Sequence, residues 1–332
     1  MDLIAGARAG GNVRLFSLAR HALREVFSII GVEAGDKVLI PGFVCRDILP
    51  AVHAVRAEAA YFPVARSLAP SALPVLHGVK AVLAVNYFGF PQELAVFREY
   101  CVDHGAVLIE DNAHGFLSCD AQGNALGSRG DFGIVSMRKT FALPDGGALL
   151  VNAKGWTERL AAPLACRNDR LPASFVAKRA LARIQNATGI RVRTLGEQIA
   201  RGCRWIVTGH ALPVSLPESE TEDLGDPAIH CESINILSKI QPAQEVHRRR
   251  RLYREFDRLL RGLDIEPVFG GLPAGVAPFG YPFRASRPEA AAVSRIASKK
   301  GVNCSYWPDL PSEVVPDAPD YYRNVWWVNF QC

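Results

Sequence analysis

The sequence predicts an α/β fold, with a mainly parallel sheet covered by helices on both faces and a small α+β unit at its C-terminal end. Three observations carry this. Short, continuously apolar runs such as Lys80-Ala-Val-Leu-Ala-Val-Asn86 lack the polar alternation of a half-exposed strand, so both of their faces are expected to be buried. Segments with apolar residues at helical spacing separate these runs, and a repeating strand–helix order builds a parallel sheet. From residue 231 onward the rhythm changes to a long Arg-rich helical stretch followed by strand and helix. The expected division is therefore a large α/β unit over 1–230 and a smaller unit over 231–332.

Taken in order, residues 16–30 carry apolar positions at helical spacing and predict a helix, ended by Gly31 and the Gly35-Asp36 turn. Lys37-Val-Leu-Ile-Pro41 is a short buried strand. Residues 45–55 read as helix and 58–63 as strand. Residues 80–86 form the clearest strand, 91–104 a helix, and 106–110 the next strand. Phe132–Ser136 and Gly147–Val151 follow as strands. Residues 152–230 are less regular and rich in Arg, Ala and Leu, with helices expected over 160–203 and a polar loop over 213–227. One long helix is expected from about Ser233 to Leu263, with His247-Arg-Arg-Arg-Arg251 either on a solvated face or contacting a nucleotide diphosphate across a dimer interface. A strand over 280–285 and a helix over 287–300, entered through Arg287-Pro288, complete the chain.

Bulk properties narrow the function classes. The 332 residues are 49% apolar, enough for a sizeable core. The formal charge of +5 suits an anionic substrate, but no basic-aromatic motif accompanies it, so no nucleic-acid partner is expected. Eight cysteines are scattered without a C-x-x-C pair, which removes zinc-ribbon and thioredoxin readings and leaves no metal site to expect. With no secretory signal at the start, they read as reduced thiols of a cytoplasmic protein. No apolar run approaches the ~20 residues that span a bilayer.

Two strand ends carry candidate chemistry. Val107-Leu-Ile-Glu110-Asp111-Asn-Ala-His114 ends a strand on a carboxylate, where ligands of open α/β sheets bind. Asp111 can pair with a protonated pyridine nitrogen, or it can N-cap the next helix; the segment alone leaves both open. His114 can hydrogen-bond a ring hydroxyl or be a packed loop histidine. The second strand end reads Phe132-Gly-Ile-Val-Ser136-Met-Arg-Lys139, followed by Asp145-Gly146-Gly147. A lysine desolvated beside a cationic cofactor becomes nucleophilic and able to shuttle protons. Ser136 can donate to a phosphate or cap local backbone. A lysine for an aldehyde and an acid for a ring nitrogen are the two anchors of pyridoxal phosphate chemistry.

In order and spacing these segments resemble the DegT/DnrJ-type sugar aminotransferases, a family within the fold-type I pyridoxal phosphate enzymes. Glu110-Asp111-Asn-Ala113-His114 is similar to the family's Glu-Asp-x-Ala-Gln/His, and Asp145-Gly146-Gly147 to its Glu-Gly-Gly after the cofactor lysine. Gly35-Asp36-Lys-Val-Leu-Ile-Pro41, Val85-Asn-Tyr-Phe-Gly89, Lys300-Gly-Val-Asn, Trp307-Pro and Val328-Asn-Phe-Gln331 resemble further family segments. The likeness runs from about residue 17 to the end and is poor over 152–230. It implies a seven-stranded sheet, Lys139 as the cofactor lysine, Asp111 on the ring nitrogen and His114 on the ring hydroxyl. The family's phosphate-binding Gly-Thr reads Ala19-Arg20 here. A guanidinium at Arg20 suits phosphate directly, although an exposed helix arginine is equally open. The family also places an aromatic ring over the cofactor near Phe43, which as a residue reads equally well as core.

The resemblance implies an aminotransferase that carries an amino group from glutamate to a keto-sugar, nucleotide-linked, in polysaccharide or secondary-metabolite synthesis, with a homodimer building each site. Dehydratases of this family carry histidine in place of the lysine, and this chain keeps Lys139. Other lysine-dependent chemistry on the same scaffold, or a relative that binds ligand without turnover, remain the alternatives.

Overall fold

The computed structural model describes residue 6, residues 11–188 and residues 216–331. Its larger sheet has seven strands: β1 (Val13–Phe16), β2 (Lys37–Pro41), β3 (Glu58–Phe62), β4 (Val79–Val85), β5 (Val107–Asn112), β6 (Phe132–Ser136) and β7 (Gly147–Val151). Their spatial order is β1-β7-β6-β5-β4-β2-β3. The β3-β2-β4-β5-β6 run is parallel, whereas β7 is antiparallel to both β6 and β1. The carboxyl ends of β4, β5 and β6 therefore share one edge of the sheet, and a ligand crevice belongs at such an edge.

The continuous apolar strands still obey the two-residue period. Val38, Ile40, Ala81 and Leu83 face one side of the sheet, with α1 (Ala19–Ile30) and α2 (Leu49–His53) packed over them. Leu39, Val82 and Ala84 face the other side, toward α3 (Ala95–His104) and its Phe97. The inner face of α1 buries Leu23, Val26 and Phe27 completely. Each such side chain is worth roughly 1.5–3 kcal/mol of transfer free energy. Gly31 ends this helix in the left-handed region (φ 71°), where a Cβ would be strained, and its N–H closes onto the Phe27 and Ser28 carbonyls.

The helix expected over 16–30 starts three residues late. Val13 and Phe16 are claimed by the edge strand β1, and Ser17 is pinned outside the helix by its N–H to the Pro227 carbonyl (2.8 Å) and its Oγ to the Asp226 carbonyl (2.7 Å). After β6 the chain makes the four-residue α4 (Met137–Thr140) and then returns as β7. Within 160–203, helix forms as α5 (Ala173–Thr188), residues 160–172 are not helical, and 189–203 lie outside the described residues. The loop over 213–227 contains a turn of 3₁₀ helix at Pro217–Thr221, and its residues 213–215 also lie outside them.

The single helix expected over 233–263 is two, α6 (Cys231–Leu237) and α7 (Pro242–Leu259). Pro242 has no N–H to continue the first helix, but it suits the first turn of the second. The arginine cluster is solvated at His247 and Arg251, but not at Arg249. Arg249 is fully buried, with Nε on Glu245 Oε1 at 2.6 Å and Nη2 on the Thr140 carbonyl at 2.9 Å. A buried guanidinium persists because its N–H groups are paired. A second, antiparallel sheet follows in the order β10-β11-β9-β8, from β8 (Glu266–Pro267), β9 (Gly280–Arg284), β10 (Asn303–Tyr306) and β11 (Val325–Asn329). The last helix, α8 (Arg287–Lys299), opens on a capping box formed by Ser286 and Glu289. Phe256, Phe283 and Trp327 pack into the same core as Leu39 and Phe97, so the two sheets share buried surface.

One expectation about the cysteines is overturned. Cys166 and Cys231 form a disulfide, across a sequence separation of 65, so these two are not reduced thiols. Among the described residues no helix is long and apolar enough to cross a membrane, and no cluster of His, Cys, Asp or Glu has the makings of a metal site.

Candidate active site

A cavity of about 310 Å³ opens at the carboxyl edge of β4–β6. It is lined by Asp111 from β5, Ser136 from β6, Lys139 from α4, and Ala19 and Arg20 from the start of α1. The strand period sorts the two carboxylates that end β5. Glu110 turns away into a buried network with Arg129 (Nε to Oε1, 2.8 Å) and Asn86 (Nδ2 to Oε1, 2.8 Å). Asp111, on the opposite side, borders the cavity. Its Oδ1 accepts from the Ala113 N–H at 2.9 Å, a local turn bond that orients the carboxyl and leaves Oδ2 for a ligand. Burial pushes the Asp111 carboxyl above the usual carboxylate range, opposed by that N–H and by the charge of Lys139. A cationic partner is what would restore the ionised form there.

His114 is buried and stacked on Phe279, with ring centroids 4.3 Å apart and planes 11° from parallel. Burial, then the charges of Lys139 and Arg249, hold it well below its ordinary value, so the ring is neutral at pH 7. The Phe88 N–H approaches Nδ1 at 3.4 Å, which assigns the ring proton to Nε2. That nitrogen lies 3.4 Å from Lys139 Nζ. Lys139 is further tied at its backbone, where its carbonyl accepts from Gln331 Nε2 at 2.9 Å.

The opposite end of the cavity is formed by a helix start. Leu18, the N-cap of α1, offers no side-chain cap, so the first-turn N–H groups beside Ala19 and Arg20 have none. Such a terminus favours an anion. Arg20 Nε is buried without a hydrogen-bond partner, while Nη1 reaches Glu222 Oε2 at 3.4 Å. The Gly-Gly turn explains how the helix start comes so close. A Cβ on Gly147 would overlap the Leu18 carbonyl and the Ala19 nitrogen, and Gly146 sits at φ 145° with its N–H on the Ser17 carbonyl at 2.6 Å. Gly147→Ala is accordingly expected to cost about 1–3 kcal/mol by overpacking and to displace the start of α1. Thermal unfolding checks the first effect, and weakened binding of a phosphate-bearing ligand the second.

Asp145, just before this turn, is held on three sides. Its Oδ2 pairs with Arg167 Nη2 at 2.7 Å and accepts from the His230 N–H at 3.1 Å, and its Oδ1 accepts from Ser233 Oγ at 2.6 Å.

Lys139, Asp111, His114, Ser136, Ala19 and Arg20 all line the one cavity. Phe43 does not. It is fully buried among Tyr87, Trp307 and Tyr322, and its carbonyl accepts from Tyr87 Oη at 2.8 Å, so it is placed as core and not as a ring stacker. Trp307 borders the cavity instead and meets His114 edge-on at 5.3 Å. Arg138, Asp47 and Glu222, none of them a candidate from the sequence, also line it. Arg138 was legible as the neighbour of the lysine. Asp47 and Glu222 had no local signal, because only the fold carries those segments to the cavity.

Residues 16–166, which hold both Asp111 and Lys139, match the model of the DegT/DnrJ/EryC1/StrS aminotransferase family. Over that stretch the chain is similar to this family. GDP-perosamine synthase of Vibrio cholerae is 27% identical over 143 residues, which is 40% of this chain and 38% of that protein. The match thus spans well under half the length of this curated relative. Among solved structures, the aminotransferase TlmJ of Streptoalloteichus hindustanus is similar with a TM-score of 0.64 at 22% identity, covering 98% of this chain and 84% of that one. PseC of Helicobacter pylori, an aminotransferase involved in the biosynthesis of pseudoaminic acid, gives 0.61 at 13% identity, covering 96% and 81%. At these identities the likeness shows a shared fold.

Proposed function

We propose that the protein is a pyridoxal-phosphate-dependent aminotransferase that moves an amino group from an amino donor, glutamate, to a keto-sugar, nucleotide-linked, in polysaccharide or secondary-metabolite synthesis. The observation that carries this reading is the placement of Lys139, Asp111 and the uncapped start of α1 around one cavity. The donor set fits the cofactor on two independent counts. The unpartnered, buried Arg20 Nε and the helix start suit a phosphate, and the buried Asp111 carboxyl suits a cationic ring nitrogen. The match to the family model and the relative named GDP-perosamine synthase support the sugar class.

When bound, pyridoxal phosphate supplies an electron sink for the carbon that loses its proton. Arg20, Ser136 and the first-turn N–H groups of α1 would hold the phosphate. Asp111 would hold the ring nitrogen in its protonated form, since a carboxylate in a buried site gains most from a cationic partner. Lys139 Nζ would hold the aldehyde end, and its amine would take and return the substrate proton. His114, neutral and fixed by stacking on Phe279, holds Nε2 beside that amine and would offer it to the ring hydroxyl. Trp307 would shield the cavity from water, and Gln331 restrains the lysine through its backbone carbonyl. A homodimer in the cytoplasm completes the reading.

The test is spectroscopic. Purified protein given pyridoxal phosphate is expected to develop a visible absorbance band that borohydride removes. Glutamate is expected to bleach it, and a nucleotide-linked keto-sugar to restore it. Absence of any band with added cofactor defeats the enzyme reading. A band that glutamate never bleaches points to other lysine-dependent chemistry on this scaffold.

A further inference from the structure

We propose that the Cys166–Cys231 disulfide is a reversible modification site, a redox clamp on the Asp145-Gly146-Gly147 turn that positions the phosphate end and the lysine end of the cavity. The two cysteines sit directly beside the residues that grip Asp145. Cys166 precedes Arg167, whose Nη2 pairs with Asp145 Oδ2 at 2.7 Å. Cys231 follows His230, whose N–H donates to the same oxygen at 3.1 Å, and stands two residues before Ser233, whose Oγ donates to Oδ1 at 2.6 Å. The two segments also pair backbone to backbone. Arg167 N–H donates to the Ile229 carbonyl and Cys231 N–H to the Arg167 carbonyl, each at 2.9 Å. The disulfide therefore ties together the two strands of chain that close around one buried carboxylate.

From Asp145 the connection to the cavity is continuous. Gly146 N–H donates to the Ser17 carbonyl at 2.6 Å, and the Gly146 carbonyl accepts from the Arg138 N–H at 3.3 Å. Ser17 leads into the uncapped start of α1, and Arg138 adjoins Lys139. Gly147 touches Leu18 and Ala19 directly. A small shift of Asp145 is thus passed to both ends of the site through hydrogen bonds and one close backbone contact.

The bond is open to exchange. Cys166 is exposed and Cys231 half-buried beside a broad surface cavity of about 800 Å³. Exposed disulfides are the labile class, and structural ones are shielded. The reacting partner is a dithiol. Its thiolate attacks Cys166 Sγ, the Cys166–Cys231 bond breaks, and Cys231 leaves as a thiolate that takes up a proton. The second thiol of the reagent then displaces Cys166. The reagent ends as a disulfide, having supplied the two electrons that yield the two cysteine thiols. With the tie gone, the grip on Asp145 rests on hydrogen bonds alone and opens more often.

The experiment uses the full chain, oxidised or treated with dithiothreitol and desalted, together with the Cys166→Ser and Cys231→Ser variants. Non-reducing peptide mapping is expected to recover a Cys166–Cys231 cross-linked peptide. Reduction is expected to quicken amide hydrogen exchange at residues 145–147 and lower the unfolding temperature. It is also expected to raise the Kd for added pyridoxal phosphate several-fold, all reversed on reoxidation. Both variants are expected to behave as the reduced protein and to ignore the reagent. Absence of the cross-linked peptide overturns the proposal. So does a reduction that lowers the unfolding temperature while leaving exchange at 145–147 unchanged, since the bond is then only a staple. The cofactor arm rests on the function proposed above, but the exchange arm does not, so failure of cofactor binding alone leaves the clamp to be decided by exchange.

Discussion

Lys139→Ala is expected to abolish the borohydride-sensitive band and to lower turnover by at least about 10²–10⁴-fold, the usual worth of a positioned acid–base group. The lysine stands at the end of β6 on a four-residue helix, with its carbonyl held by Gln331 and its amine beside the neutral His114. An alanine at this point keeps the backbone bond to Gln331 and loses the amine. Lys139 makes no ion pair among the described residues, so the unfolding temperature is expected to stay near that of the wild type. A variant that keeps the band would move the cofactor attachment to another lysine. A variant that loses both band and stability would instead show that the side chain props up the cavity.

Asp111→Asn is expected to separate cofactor binding from stability in opposite directions. The asparagine Oδ1 can still accept from the Ala113 N–H, so the local turn survives. The charge partner of the ring nitrogen is lost. Removing one member of a buried charge pair costs about 2–5 kcal/mol, or roughly 30- to 4,000-fold in cofactor affinity. The cofactor-free protein is expected to respond otherwise. Burial raises the folded-state pKa of Asp111 above its unfolded value, so the unfolded chain gives up this proton more readily. The resulting penalty is absent below the unfolded pKa, grows as pH rises toward the folded value, and is constant above it. At pH 7 the cofactor-free variant should therefore be at least as stable as wild type, and the difference should vanish as pH falls toward about 4. Unfolding melts across this range check the sign. A variant less stable than wild type at pH 7 would mean that the carboxylate is already compensated by groups of the protein itself.

Both residues were readable in the chain because their signals are local. Each lies at the end of a short apolar strand, and a parallel sheet places successive strand ends on one edge whatever the remainder of the fold does. The Gly-Gly turn was equally readable as a tight passage, though its purpose was not. Only the packed structure brings the Leu18 carbonyl against Gly147, and only that contact makes a Cβ intolerable. Phe43 failed for the complementary reason. An aromatic residue after a strand can face a ligand or a core, and the choice was decided by Tyr87, Trp307 and Tyr322 arriving from distant segments.

The same division holds for charge. A run of four arginines on a helix has the composition of a solvated face, but Arg249 lies where α7 crosses the loop after Lys139, and it is buried there because Glu245 and the Thr140 carbonyl satisfy it. The disulfide could not be read from spacing either, since Cys166 and Cys231 meet only after residues 167 and 230 pair. Beyond the roles that the family resemblance supplied, the sequence by itself determined six of the seven strands of the larger sheet, missing β1, and marked Asp111 and Lys139 as strand-end candidates. Those depend on periodicity and on neighbours a few residues away. The tertiary structure alone decided which aromatic faces the cavity, which arginine is buried and how Asp145 is held. Each of those rests on contacts between segments far apart in sequence, where burial and hydrogen-bond satisfaction override local preference.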